Sequence, residues 1–163
     1  MTSTEKRELS ITLPSDCELE MKRVFNAPAA KLFEVWTKPE HVMKWYGVRS
    51  TTMTVCEMDV RVGGAWRWVS TMPNGMEIAF SGKFLALDPP HRLQKTEWFE
   101  AVPGAESVVT LTFEEHDGQT TLTAHMRFQN KRQRDICLKS GMELGVKECY
   151  ENIDAILAGQ VAA

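Results

Sequence analysis

The sequence predicts an α+β domain in which a curved antiparallel sheet wraps around one long carboxy-terminal helix and two short helices close one end. Three observations lead there. Between residues 17 and 128, apolar side chains recur at every second position in runs separated by turn residues, the pattern of strands with one buried face. From Asn130 the period becomes helical and holds to Leu157. Between Asn26 and Trp68, two helix-start signals are coupled to a strand carrying Trp66 and Trp68 on one face.

The elements follow in order. Residues 1–10 are polar and form a flexible arm, with an edge strand as the alternative at 9–13; the single domain spans 11–160. Residues 17–25 form a strand with Leu19, Met21, Arg23 and Phe25 on one face. Pro28 opens the first short helix, to Thr37, because its fixed φ suits a first turn. Thr37 and Glu40 have capping-box spacing around Pro39, which starts the second helix, to about Lys44. Helices this short are not stable alone and must lie against something larger.

Strands follow at 52–58 and 64–72, the latter with Trp66 and Trp68 inward and Arg67 outward. Pro73-Asn74-Gly75 has hairpin-turn chemistry. The next strand holds Met76, Ile78 and Phe80 on one face and changes phase near Gly82, the place for a bulge. Further strands begin at Leu93 and Ser107, the second with Val109, Leu111 and Phe113 together. Asp117-Gly118 turns the chain into residues 121–128, where Leu122, Ala124, Met126 and Phe128 oppose Thr121, Thr123, His125 and Arg127. Asn130 caps the final helix with Gln133 at its third position, and Gly159 fits its stop. Ile136, Leu138, Met142, Val146, Cys149, Ile153, Ile156 and Leu157 make its apolar stripe. An unbroken helix of about 28 residues measures roughly 42 Å and needs a curved sheet to cover it.

Composition narrows the function. The chain has 163 residues, 43% hydrophobic and 25% charged, ordinary values for a globular domain. A net charge of −3 argues against nucleic acid, whose phosphates require a basic surface. No apolar run approaches the roughly 20 residues that span a bilayer, and MTSTEKRELS lacks the apolar core of a signal peptide. A cytoplasmic protein is expected. Cys17, Cys56, Cys137 and Cys149 show no paired spacing, so free buried thiols are expected and no disulfide, metal site or cofactor.

The chain resembles the family of homologues of the activator of the heat-shock protein 90 ATPase (AHSA-type), within the START-like, SRPBCC superfamily. The resemblance rests on RVFNAP (23–28), VWTKPEHVMKWYG (35–47), CEMDVRVGGAWRW (56–68), PNGMEIAFSGKF (73–84), DPPHRL (88–93) and RDICLKSGMELGVKECYENIDAIL (134–157). It implies the helix-grip fold and, between sheet and helix, a cavity for hydrophobic or amphipathic ligands. The eukaryotic activator carries a separate amino-terminal domain for chaperone contact, for which this chain has no room. Chaperone activation is therefore not expected to follow from the likeness.

Trp66 and Trp68 either line such a cavity or simply fill the core, as aromatic stripes do in many domains. The expected lining comprises Trp45, Tyr46, Trp66, Trp68, Phe80, Trp98, Leu111, Phe113, Met142 and Val146, with Trp45, Tyr46 and Trp98 near its mouth. Gly141 and Gly145 leave space on the helix. Arg23 on an apolar strand face invites a buried partner, for which Asp59 is the candidate. His41, His91, His116 and His125 have no catalytic partners, Glu77 and Glu97 are acids of undetermined face, and no nucleophile, zinc or phosphate-loop motif is present. No catalytic residue is named. The leading expectation is a non-catalytic carrier or sensor of a small hydrophobic molecule or lipid within a stress or detoxification response, a monomer or weak homodimer. The alternatives are a cyclase- or lyase-type enzyme using the same cavity, and a module regulating a chaperone or another protein.

Overall fold

The computed structural model describes residues 8–47, 50–102 and 104–159. In chain order the strands are β1 (Ser10–Thr12), β2 (Glu18–Phe25), β3 (Thr52–Met58), β4 (Ala65–Thr71), β5 (Glu77–Asp88), β6 (Arg92–Phe99), β7 (Glu106–His116) and β8 (Gln119–Arg127). Helices α1 (Ala29–Thr37) and α2 (Pro39–Trp45) lie between β2 and β3, and α3 (Lys131–Lys139) and α4 (Met142–Leu157) follow β8. The eight strands form one sheet in the order β1-β2-β8-β7-β6-β5-β4-β3. Every neighbouring pair is antiparallel. This is the helix-grip fold. Of the expected flexible arm, residues 1–7 lie outside the described residues, and the edge strand forms at Ser10–Thr12.

Register decides which side chains meet. Lys95 lies opposite Val109, Val109 opposite Met126, and Met126 opposite Leu19. On the other half, Phe99 lies opposite Phe80, Phe80 opposite Trp68, and Trp68 opposite Cys56. Directly opposed residues share a face, so these rows define one concave surface running the width of the sheet. Its floor is dry in the middle, where Leu19, Leu93, Leu111, Phe113, Leu122 and Ala124 are each at most 2% exposed.

The small helices are fastened by side chains. Trp45, 2% exposed, donates from Nε1 to the Val35 carbonyl (2.9 Å), locking α2 onto α1. Phe33 of α1 packs edge-on against Phe113 at 5.3 Å. Two start signals work differently from expectation. Pro28 is the cap residue of α1, with extended ψ (155°), and not its first helical residue. The Thr37–Glu40 capping box does not form: Thr37 Oγ1 donates backwards to the Phe33 carbonyl (2.8 Å), and Lys38 occupies the α2 cap position. Pro39 does open α2, and Asn130 caps α3 by accepting from the Gln133 N–H at 2.9 Å.

The carboxy-terminal helix is not continuous. It breaks at Ser140-Gly141, where Gly141 takes φ +85°, a left-handed conformation that an L-residue adopts at a cost. Nothing lies within 4 Å of the place a Cβ would take there, so this glycine serves the break and not a close packing. Gly82 is the opposite case: a Cβ would sit 2.0 Å from the Thr96 carbonyl oxygen, so the close approach of β6 requires glycine. The expected irregularity of β5 near Gly82 is present, with the pairing to β6 shifting between Phe84 and Ala86.

Seating of α4 is graded along its length. Cys149, Tyr150 and Ile153 are buried, Ile153 completely, whereas Met142 and Val146 are only partly covered. The deep half is also pinned by charge. Arg23, 7% exposed on β2, reaches Asp154 through both terminal nitrogens (2.7 and 2.5 Å), a bidentate pair. The expected partner Asp59 instead holds Arg61 at the surface (2.8 Å). The cause is simple: Asp59 follows β3 at the far edge of the sheet, while α4 brings Asp154 to Arg23 and Tyr150 to Phe25 of β2. We predict that Ile153→Ala lowers unfolding free energy by about 2–5 kcal/mol, the range for emptying a sealed core site. Met142→Ala should cost about 1 kcal/mol, because that side chain is already half in solvent. Urea titrations showing equal losses would contradict the graded seating.

Candidate functional site

At the β3–β6 end of the concave face the core changes character. Trp66 and Trp68, alternate residues of β4 and 2% and 3% exposed, stand with ring centroids 4.9 Å apart. Trp68 meets Tyr46 at 4.8 Å and Trp45 edge-on at 6.0 Å, so the residues at and after the end of α2 form one wall. Phe80 and Phe99 stack at 5.1 Å and, unlike the tryptophans, are only half-buried. Cys56 of β3 completes this row of the sheet.

Into this aromatic bowl β6 inserts a cation. Lys95 is 4% exposed, and its ammonium lies 4.1 Å from the Trp66 ring centre and 4.2 Å from that of Trp68. Among the described residues no carboxylate comes within ion-pairing distance of it. The two indole faces are what hold the charge, an interaction worth about 2 kcal/mol or more where water is excluded. Burial pulls the Lys95 amine down to about 8 from its ordinary 10.5, opposed by the nearby Glu97 and Cys56. Glu97, two residues along β6 on the same face, is pushed up by burial and held down in part by Lys95. Burial likewise raises the Cys56 and Cys137 thiols, each to about 11, and lifts the Tyr46 phenol far above its usual range. Beyond burial, the proximity of Glu97 adds to the upward shifts of both Tyr46 and Cys137.

Four donors at this end are of particular interest. The Trp66 indole N–H is used, donating to the Thr96 carbonyl at 3.1 Å. Among the described residues the Trp68 indole N–H and the Ser70 hydroxyl, both buried, have no hydrogen-bond partner; the same holds for the Trp36 indole N–H on α1 and the Gln133 side-chain oxygen on α3. Lys95 donates to no protein acceptor among the described residues. Buried donors are normally satisfied, so their concentration here is chemically specific.

The expected site residues divide into three groups. Tyr46, Trp66, Trp68 and Phe80 come together in the bowl, with Met142 and Val146 packed partly buried against the core. Trp45, Leu111 and Phe113 belong to the sealed core, each 2% exposed, and Trp45 is not at a mouth. Trp98 is corrected outright: it stands on the convex face of β6, paired with Ser81 and Glu106, and its indole N–H donates to the Val102 carbonyl (2.8 Å). Glu77 is exposed at the start of β5. His125 meets Glu18 on the convex side, and His41 and His116 lie 3.6 and 3.2 Å from Glu34 and Asp117.

Lys95 was missed from the sequence. In RLQKTEWF either set of alternate positions contains charged or polar residues, so alternation alone names no inner face. The usable signal was indirect: β7 alternates cleanly, and pairing Leu93 with Leu111 forces Lys95 inward beside Val109.

Two surface depressions, of ≈ 390 and ≈ 340 Å³, are lined by other residues: the first by α3 residues around Ile136, the second by Leu9, Arg23 and Tyr150 among others. All four cysteines are free thiols. Among the described residues, no group of three or more His, Cys, Asp or Glu could hold a metal ion, and no helix is long and apolar enough to cross a membrane.

An open antiparallel sheet gripping a helix, with an aromatic bowl at one end of the grip, defines a START-like domain. The family model described as activator of Hsp90 ATPase homolog 1-like protein matches residues 26–158, and the chain belongs to that family. A crystal structure of a Rhodobacter sphaeroides protein is similar at 30% identity over 93% of this chain and 99% of its own, with a TM-score of 0.87. Protein Ms6760 from Mycobacterium smegmatis is 26% identical over 92% of this chain and 97% of its own, with a TM-score of 0.83. The AHSA1 protein from Silicibacter pomeroyi, at 21% identity, 88% and 99% coverage and a TM-score of 0.71, shares the fold. No curated protein matches the chain.

The buried cation has a thermodynamic signature. Between pH 8 and 10.5 the folded protein has released the Lys95 proton while the unfolded chain still holds it. The unfolded state binds more protons there, so this residue makes stability rise with pH across that window. The raised thiols and phenols act in the opposite sense above their ordinary values, so the comparison must be with a variant. Lys95→Met should be more stable than the native chain at pH 7, by about 1–3 kcal/mol, and the advantage should shrink between pH 8 and 10.5. A destabilised Lys95→Met with no change of slope in urea titrations across that window would show that the cation is structural.

Proposed function

We propose that the protein binds a small hydrophobic or amphipathic molecule in the bowl between the concave sheet face and α2 to α4, as a carrier or sensor. One observation carries the reading: the tryptophan wall holds a buried ammonium group with, among the described residues, no carboxylate in ion-pairing distance, beside the half-buried Phe80 and Phe99. A chain selected for stability alone gains by replacing such a group with an apolar one, since net stability is only about 5–15 kcal/mol. Pockets that take ligands are built this way, from apolar and aromatic walls with a few placed polar groups. Membership of the family supports the same reading through the fold. A cytoplasmic setting within a stress or detoxification response belongs to this proposal, with the protein acting as a monomer or weak homodimer.

A second reading has its own observation. Lys95 and Glu97 share one face, and burial drives the lysine towards its neutral form and the glutamate towards its protonated form. Two groups shifted this way can move protons at neutral pH, as a cyclase or lyase requires. Both readings place the small molecule in the same bowl; they differ in whether it leaves unchanged.

Planar hydrophobic compounds should quench tryptophan fluorescence saturably, because Trp66 and Trp68 form the wall. At a hundredfold excess over the dissociation constant, binding to the native state alone stabilises by about 2.7 kcal/mol. For a domain of this size that is roughly 5–10 °C in melting temperature. A varied panel giving neither quenching nor thermal shift contradicts the binding reading. Recovery of a bound compound chemically altered after incubation selects the enzyme.

A further inference from the structure

We propose that the bowl selects ligands by an anionic group, a carboxylate seated between the Lys95 ammonium, the Trp68 indole N–H and the Ser70 hydroxyl, with the apolar body lying towards Phe80 and Phe99. The inference rests on the binding reading above and adds the chemical class of the ligand.

The imbalance of donors and acceptors carries it. Trp66, Trp68 and Ser70 are alternate residues of β4 and therefore share the concave face. Of these, the Trp66 N–H is spent on the Thr96 carbonyl, while the Trp68 N–H and Ser70 hydroxyl are buried without partners. The ammonium of Lys95 rests over both indole rings and donates to no acceptor among the described residues. One face of the bowl thus presents a cation and two neutral donors, and among the described residues no protein acceptor meets them. Among the described residues Glu97 is the carboxyl whose charge acts on Lys95, but the two form no ion pair; burial pushes the Glu97 carboxyl up and Lys95 holds it down in part.

A single neutral carbonyl oxygen has two lone pairs, too few for all three donors, and brings no charge to the ammonium. A carboxylate has two oxygens and about four lone-pair sites, enough for all three groups, and brings the charge that the ammonium lacks. Along this face burial falls from Trp66, Trp68 and Lys95 to the half-buried Phe80, Phe99 and Glu97, the side from which a ligand would enter. An amphipathic acid entering there meets the apolar rings with its body and the donors with its head.

The test uses matched pairs on the full native chain: 2-naphthoate against 2-naphthamide, and dodecanoate against dodecanamide. Tryptophan quenching and calorimetry give the affinities, and the two pairs distinguish planar from linear bodies. The expected result is that at least one acid binds tenfold or more tightly than its amide. In Lys95→Met that ratio should fall to about one while the amide's affinity is retained. Ser70→Ala removes only the hydroxyl and leaves both indoles in place; it should lower the ratio several-fold and decides the matter if Lys95→Met does not fold. Acids and amides binding equally to the native protein overturn the anionic anchor and leave the hydrophobic bowl intact. An acid preference that survives both substitutions also overturns it. If neither member of either pair binds, the binding reading falls along with the anchor.

Discussion

The seating of α4 in the concave face is the constraint on which the rest depends. Its carboxy-terminal half is fixed by Tyr150 and Ile153 within the core and by the Arg23–Asp154 pair to β2. Gly141 ends the preceding helix, so α3 and α4 need not share one axis. The consequence is asymmetry. One end of the sheet is closed by helix and by the Phe33–Phe113 contact of α1, and the other is covered by aromatic side chains and the loosely seated start of α4. A single straight helix with its whole stripe buried would have closed both ends.

The open end is where the protein accepts cost. A lysine with its ammonium over two indoles, a glutamate on the same face and two orphaned donors are each unfavourable in a core chosen for packing alone. Elsewhere the same chain resolves polar groups carefully. Buried Thr120 donates to the Ala27 carbonyl (2.7 Å), and Arg134, 7% exposed, finds the Ser15 carbonyl and Asp135. Among the described residues, the Trp36 indole N–H and the Gln133 side-chain oxygen are also buried without a partner, one on α1 and one on α3. What sets the β4 pair apart is that Trp68 and Ser70 share a sheet face with a buried ammonium.

Legibility in the sequence followed the strength of local patterning. Strands β7 and β8 alternate without exception and the Asp117-Gly118 turn joins them, so their faces were readable residue by residue. The two short helices were found through Pro39 and the chain around Pro28, although their caps work through backbone and back-bonding geometry that spacing alone does not specify. The helix break was not legible as a break: glycine at 141 costs a helix only about 1 kcal/mol, too little to decide between a tolerated residue and a stop. In the site, Trp66 and Trp68 stood out because they flank an outward arginine. Lys95 and Trp98 were misjudged together, since β6 places a charge inside and an aromatic outside, and only pairing with β7 reveals it. The partner of Arg23 is 131 positions away, a distance over which no sequence period reports.

The most direct measurement is of what the native protein carries. Purified under gentle conditions, the full chain and its Lys95→Met variant can be analysed side by side by native mass spectrometry, with extraction and identification of whatever small molecule accompanies each. An acidic amphiphile at near-stoichiometric level on the native chain, absent from the variant, is the predicted result. A native chain that travels without any small molecule, or with the same one as the variant, would contradict the assignment of the bowl as a site built around the buried lysine.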